Sequence, residues 1–239
     1  MLLTTYKIRK NHQYLIFKMP SVLLYHFPPS APSRFALMTM RTLGIDVEIK
    51  NLNLLQKEQF NEEFLKINPQ HCVPTIDDDG FYLWDSHAIA TYLVGKYGQD
   101  SGLYSEDLKE RAKVDSMLYF EATVLFARLR ALCVPFIFGS ASSVPEDLKL
   151  NVKDAFNTLN TLLNGKTWLV GERLTVADIA NAAAVSNAVV VGYNLSQHPN
   201  VDPWYKRCQT SIKGFEENLK GADDFVALIK KNYSAPLFP

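Results

Sequence analysis

Ser30 is the first residue of this chain placed to do chemistry. It follows a short apolar run, Val22-Leu23-Leu24-Tyr25, and a Pro28-Pro29 break, and it precedes Ala31-Pro32. That puts a hydroxyl at the N-cap of a helix with proline in its first turn. A hydroxyl and a helix N-terminus together favour an anion. A serine there also serves as a cap and nothing more, and the residues alone leave both roles open. Ser33 is a competing hydroxyl nearby. Asp85-Ser86 opens a second helix with an acid and a hydroxyl; the alternative there is an ordinary acidic first turn. Thr175-x-x-Asp178 reads as a capping box with Leu174 and Ile179 as its staple, so Asp178 is a folding element, not a reacting acid. Arg128 and Arg130, two apart on a helix, point to different faces.

The elements that must position these residues follow from periodicity and turn chemistry. Val22–Tyr25 reads as a strand and the stretch to Leu43 as a helix, with Phe35, Met38 and Leu43 toward a core and Gly44 closing it. Val47-Glu48-Ile49-Lys50 alternates as a half-buried strand. Gln56 to Ile67 has Phe60, Phe64 and Leu65 on one side of a short amphipathic helix, stopped by Asn68-Pro69. Val73-Pro74-Thr75-Ile76 and Phe81-Tyr82-Leu83-Trp84 flank the turn Asp78-Asp79-Gly80 as a hairpin. A helix then runs from Asp85-Ser86 to about Tyr97. The order β-α-β-α-β-β-α predicts a mixed four-stranded sheet with helices packed on it. Beyond a Gly, Asp and Ser-rich linker the pattern is helical throughout: about 107–138, 145–163, 175–193, 203–212 and 223–231. The domains are therefore expected at 19–100 and 107–239, joined by 101–106, behind an unstructured extension over 1–18.

Composition narrows the function classes. With 239 residues the chain suits two modest domains, and 47% hydrophobic against 21% charged residues is a globular mix. Lys+Arg and Asp+Glu are both 25, so no basic excess points to nucleic acid. No run of about 18 apolar residues would span a membrane. Cys72, Cys133 and Cys208 are far apart and odd in number, which argues against a disulfide framework, a zinc site or a dithiol centre. A reducing, cytoplasmic setting and no metal are the expectations. Residues 1–18 carry Lys7, Arg9, Lys10 and Lys18 without an acid, yet only one arginine and no signal-type apolar run.

Five segments, in order and correctly spaced, carry a resemblance. Ser30-Ala31-Pro32-Ser33-Arg34, Asn68-Pro69-Gln70-His71-Cys72-Val73-Pro74, Asp85-Ser86-His87-Ala88-Ile89, Phe120-Glu121 through Leu125-Phe126-Ala127-Arg128-Leu129-Arg130, and Leu174-Thr175-Val176-Ala177-Asp178 resemble the cytosolic glutathione transferases of insect delta and epsilon type. The fourth segment is similar to the epsilon class in particular. The resemblance covers about residues 21–225. It implies an α/β thioredoxin-like domain that binds glutathione and an all-α domain that binds the electrophile, in a homodimer.

It also implies roles. Ser30 would be the catalytic residue, stabilising the glutathione thiolate. A free thiol has a pKa of about 8.5, and lowering it by about two units takes roughly 2.7 kcal/mol. A hydroxyl bond to a charged acceptor, about 1.5–3 kcal/mol, is of that size. A serine here, with no cysteine before Cys72, favours thiol activation over disulfide exchange. Pro74 would be cis, with the Val73 backbone pairing the cysteinyl part of glutathione. Asp85 and Ser86 would hold the γ-glutamyl ammonium and carboxylate. His71 would meet the glycine carboxylate; a lone histidine is otherwise structural. Cys72 and His87 join the glutathione set, with a solvent-facing side chain as the alternative for His87. Arg130 would lie near the cleft and Arg128 in packing or an interface. Phe27, Pro29, Leu55, Phe126, Val134 and Phe138 are the candidates for an apolar electrophile pocket. Two residues depart from the relatives: Gln59 stands where a glutathione-contacting histidine can occur, and Val134 where an acid can. The implied activity is conjugation of glutathione to hydrophobic electrophiles in xenobiotic detoxification, with peroxidase or dehydrohalogenase side activity. A non-catalytic glutathione or hydrophobic-ligand carrier, or a lipid or steroid isomerase, would use the same pocket.

Overall fold

The computed structural model describes residues 5–10, 13–18 and 21–238. Thr5–Lys10 (β1) and Gln13–Lys18 (β2) pair antiparallel in a ladder of their own, outside the main sheet. This differs from the unstructured extension expected over 1–18. Tyr6, Ile8, Tyr14 and Ile16 recur there at alternate positions, a pattern that suits strands. The domain start expected at residue 19 lies outside the described residues.

Ser21–His26 (β3), Ala31–Leu43 (α1) and Asp46–Asn51 (β4) form a β-α-β unit with β3 and β4 parallel. Glu62–Ile67 (α2) follows, then the hairpin Thr75–Asp78 (β5) and Phe81–Trp84 (β6), and Ser86–Tyr97 (α3). The sheet order is β4-β3-β5-β6, with β5 antiparallel to β3. Asp79 and Gly80 both have positive φ, as a two-residue hairpin turn requires. One face of the sheet buries Val22, Leu24 and Ile76 against Ala36, Leu37 and Met40 of α1 and Ile89 and Leu93 of α3. The other packs Tyr25 and Val73 on Phe64 of α2.

Two local expectations give way. β4 is an edge strand whose side chains are mostly exposed, Ile49 among them, not a half-buried one. The helix expected from Gln56 is replaced by 3-10 turns at Leu54–Gln56 and Glu58–Phe60 before α2 begins. Asn53 Oδ1 accepts from the N–H groups of Leu55 and Gln56, and Lys57 turns the chain at φ 60°. An early cap and a left-handed residue end each turn before a helix can propagate.

The second domain is helical: Leu108–Phe120 (α4), Phe126–Ile137 (α5), Glu146–Leu162 (α6), Val176–Val190 (α7), Val201–Ser211 (α8) and Phe215–Lys230 (α9). The single rod expected over 107–138 carries a π-helical segment, Glu121–Leu125, between α4 and α5, and both its end residues are buried. α7 is buried from Val176 to Ala188. Its run of alanines lets the surrounding helices close in on it, as an apolar helix at the centre of a bundle must allow. α1 is buried almost all round: Ala36, Leu37 and Met40 serve the sheet, while Ala31, Phe35 and Met38 join the core of the helical domain. The two domains are thus welded along the helix that Ser30 starts.

Candidate active site

Register brings the chemistry to one end of the sheet. Thr75 pairs with Tyr25 on one side and Trp84 on the other. The chain leaving β3, the chain entering β5 and the chain leaving β6 therefore share one edge. They carry Ser30, Val73-Pro74 and Asp85-Ser86 respectively, and the Val73–Pro74 bond is cis.

Ser30 is the N-cap of α1, and its Oγ accepts from Ser33 N–H at 3.4 Å. That bond is long, and among the described residues the hydroxyl donates to no acceptor. Its proton is free for an incoming anion. Ser33, the competing serine, is fully buried. Its Oγ lies 2.7 Å from His26 Nδ1 and accepts from Phe27 N–H. Burial and the Arg34 charge lower His26 to about 4, so the imidazole is neutral. The His26–Ser33 pair is a sealed strut beneath Ser30, away from the cavity.

Asp85 caps α3 from a strained backbone, φ 72°, with Oδ1 accepting from His87 and Ala88 N–H. The His87 hydrogen bond, against the burial, holds its carboxyl below the usual range. Ser86 is buried beside it. His87 does not face solvent. Its Nε2 lies 2.8 Å from Glu121 Oε2 and its Nδ1 3.6 Å from Asp85 Oδ1. Burial pulls the imidazole down, but the hydrogen bonds and charges of Asp85 and Glu121 outweigh it and raise His87 to about 9. Glu121 comes from the π-helical segment, so this ion pair crosses the domain boundary. The stabilisation is fully present below the unfolded value of about 6.5 and is lost as pH rises through about 9. The stability gap between the wild type and His87→Gln, measured by urea unfolding, should be on the order of 3 kcal/mol at pH 6 and narrow steadily from about pH 6.5 to pH 9. A gap independent of pH would mean that His87 is packed as a neutral ring.

His71 is exposed in the left-handed region, φ 44°, with its ring 4.7 Å from that of Phe60. Cys72 is half-buried, its Sγ accepting from Asn68 Nδ2, and burial pushes its thiol up. Gln59 is tied to Leu54 O by its Nε2, and its buried Oε1 has no partner among the described residues.

Between the domains lies an apolar cavity of about 220 Å³ with Ser30 in its wall. Phe27, Pro29, Leu55, Phe126, Val134 and Phe138 all line it, as does Arg130 from α5. Arg128 instead ties α5 to Asp154 and Asn151 O of α6, a packing role. The cavity also takes Ile137, Ala184, Asn187, Phe225 and Leu228, which sequence reasoning missed. Asn187 had a signal, a polar side chain inside an otherwise apolar run. Phe225 and Leu228 lie on α9, which starts at Phe215 and not near residue 223.

Asn232, just past α9, was missed too. Its Nδ2 donates to Phe136 O at 3.0 Å, which Gly139 N–H also meets, and to Ile137 O at 2.9 Å, two carbonyls at the end of α5. Tyr233 packs on Phe136, rings 4.7 Å apart. This clamp makes Asn232 a positioning residue for the cavity wall at Ile137 and Phe138. Asn232→Ala should raise KM for a bulky electrophile about fivefold and leave KM for the thiol co-substrate unchanged; parallel changes in both would reduce the clamp to general stability.

The comparisons with known proteins agree with this geometry. The chain matches the glutathione S-transferase N-terminal domain over residues 20–95 and the C-terminal domain over residues 116–211. It is similar to an unclassified glutathione S-transferase of Bombyx mori, 43% identical with a TM-score of 0.84, covering 89% of this chain and 99% of that one. A delta-class enzyme of Nilaparvata lugens is 39% identical, TM-score 0.85, covering 88% and 99%. An epsilon-class enzyme of the housefly Musca domestica is also 39% identical, TM-score 0.84, covering 88% and 98%. With a thioredoxin-like sheet domain, a helical domain and an apolar cleft between them, the chain is an enzyme that belongs to the glutathione S-transferase family.

Proposed function

We propose that the enzyme activates glutathione as a thiolate at Ser30 and joins it to hydrophobic electrophiles held in the interdomain cavity. The observation that carries this reading is the Ser30 hydroxyl: at the head of α1, in the cavity wall, with its proton uncommitted. The thiol proton leaves to solvent and the hydroxyl donates to the sulfur anion. With an aryl halide, sulfur bonds to carbon as halide departs with its electron pair. With an unsaturated carbonyl it adds to the β-carbon and the enolate takes a proton from solvent. With a hydroperoxide it attacks the terminal oxygen as the O–O bond breaks and the alkoxide leaves, the sulfur being oxidised and the peroxide reduced. The protein contributes thiolate stabilisation and proximity.

Glutathione would lie along the shared edge, its cysteinyl backbone at Val73 and its γ-glutamyl end at Asp85 and Ser86. His71 would serve the glycine carboxylate, Cys72 the wall beside it, and His87 the support of Asp85. Arg130 would face the tripeptide or an anionic leaving group. Aryl halides, unsaturated carbonyls and organic hydroperoxides suit the apolar lining, and with them a role in detoxification in the cytoplasm. The stretch from Phe120 to Arg130 supports an epsilon-type assignment. Exposed Phe81, Tyr82 and Tyr119 suit a homodimer contact.

Ultraviolet titration of glutathione bound to the enzyme tests the mechanism. The bound thiol should ionise near pH 6.5, about two units below a free thiol. An ordinary thiol value, with no turnover of any electrophile in a panel, would leave a glutathione-binding carrier instead.

A further inference from the structure

Arg34 is a buried cation without an anion. It is 1% exposed, and every donor it uses meets a neutral acceptor. Nε donates to Asn218 Oδ1 at 2.9 Å, Nη1 to Pro28 O at 2.9 Å, and Nη2 to Asn187 Oδ1. Among the described residues no Asp or Glu forms an ion pair with it. Burial pulls the guanidinium down to about 9, which leaves it charged at neutral pH. A buried charge without a counter-ion is expensive, and nothing in the fold itself neutralises this one.

Its place explains what could. Arg34 sits in the first turn of α1, its N–H bonded to Ser30 O at 3.0 Å. Nη1 grips Pro28 O, two residues before Ser30, and Asn187, which receives Nη2, lines the same cavity as Ser30. The guanidinium therefore lies beneath the Ser30 corner. Gly221 of α9 closes it in: a Cβ there would meet Pro28 O at 2.4 Å and Arg34 Cδ at 2.5 Å. The charge has no room to swing away, which is the condition for a preorganised field. The titratable groups around it do not cancel it. His26 on β3 is neutral, the Tyr205 phenol on α8 is raised by burial, and Asp224 on α9 is exposed.

We propose that Arg34 is the fixed positive charge of the thiolate site, and that its missing counter-ion is the sulfur of bound glutathione. The proposal rests on the reading of Ser30 given above. Ser30 supplies the hydrogen bond, and Arg34 acts through space without touching the substrate.

Supplying the missing anion from the protein is the test. Asn218→Asp puts a carboxylate 2.9 Å from Nε in nearly the same volume, outside the cavity lining. The variant should fold, bind S-methylglutathione like the wild type, and titrate its bound glutathione about one unit higher. Turnover of an aryl halide should then fall about tenfold at pH 6 and recover above pH 9. Asn218→Ala, which removes the acceptor without adding charge, should lower thermal stability and leave the thiol titration in place. If Ser30→Ala shifts the titration and Asn218→Asp does not, the Arg34 proposal is overturned and the Ser30 reading survives. If neither shifts it, both are lost. Should Asn218→Asp not fold, Arg34→Lys and Arg34→Gln decide. Lysine should keep the wild-type titration and glutamine raise it, and equal titrations overturn the proposal.

Discussion

Ser30→Ala is expected to lower kcat/KM toward an aryl halide about five- to fiftyfold at pH 6.5, with the affinity for glutathione nearly unchanged. The size follows from the thiol. A hydrogen bond to a charged acceptor contributes about 1.5–3 kcal/mol, and a shift of about two pKa units corresponds to roughly 2.7 kcal/mol. Without the hydroxyl, and with the Arg34 charge still in place, bound glutathione should ionise about one to two units higher, and between about one and nine molecules in a hundred would be thiolate at pH 6.5, against about half in the wild type. The deficit should shrink as pH rises, because the mutant's thiol is then ionised by solvent. Above about pH 9 the two proteins should differ by only a small factor. The tripeptide is held mainly elsewhere, at the β5 entrance and the start of α3, so its dissociation constant should move little. A loss of that size that persists at all pH values would point to misplacement of the sulfur. No loss at all would reduce Ser30 to the helix cap it also is. Ser33 cannot substitute, since its hydroxyl is committed to His26 and Phe27 N–H below the cavity floor.

What was legible in the sequence is local in its physics. The N-cap at Ser30, the Asp79-Gly80 turn, the stop at Asn68-Pro69 and the capping box at Thr175 each depend on residues within a few positions of one another. So do the strand and helix periods, and the six apolar residues chosen for the pocket all reach it. What was not legible depends on partners far apart in the chain. Locally His87 suits a glutathione contact or a solvent-facing side chain; its ion pair with Glu121, 34 residues on, is not signalled by its neighbours. Arg34 meets Asn187 and Asn218, 153 and 184 residues away, and no period announces that. The start of α9 was hidden by Gly221, which weakens a helical pattern by about 1 kcal/mol against alanine. That glycine is there because Pro28 O and Arg34 leave no space for a Cβ. The 3-10 turns at Leu54–Phe60 were hidden because one left-handed residue, Lys57, breaks a pattern whose apolar spacing alone suits a helix.

Asp178→Ala should produce the largest loss of stability of any single substitution considered. The Asp178 carboxylate is fully buried and accepts four hydrogen bonds. Oδ1 receives Leu169 N–H and the Trp204 indole N–H, and Oδ2 receives the N–H and hydroxyl of Thr175, all at 2.9 Å. One carboxylate therefore fixes the loop before α7, the N-cap of α7 and the largest fully buried side chain of α8. Burial pushes its carboxyl up while the four donors oppose that, so the group is held by hydrogen bonding and not by a cation. Removing it strands four donors where water has no access, at about 1–3 kcal/mol for each one left unmade. Some of them will relax onto one another, and a net loss of about 4–5 kcal/mol is expected. In a chain of this size that lowers Tm by about 10 °C or more. Asp178→Asn keeps one acceptor and turns an amide donor toward the other pair, so it should lose about half as much. Unfolding in urea measures both. The decisive comparison is kinetic: below its own transition the folded Asp178→Ala enzyme should keep kcat/KM near the wild-type value, because α7 touches the cavity only at Ala184 and Asn187, about two turns away. Normal stability with lost turnover would make Asp178 a reacting acid, and would remove the argument that this helix start exists to hold the bundle together.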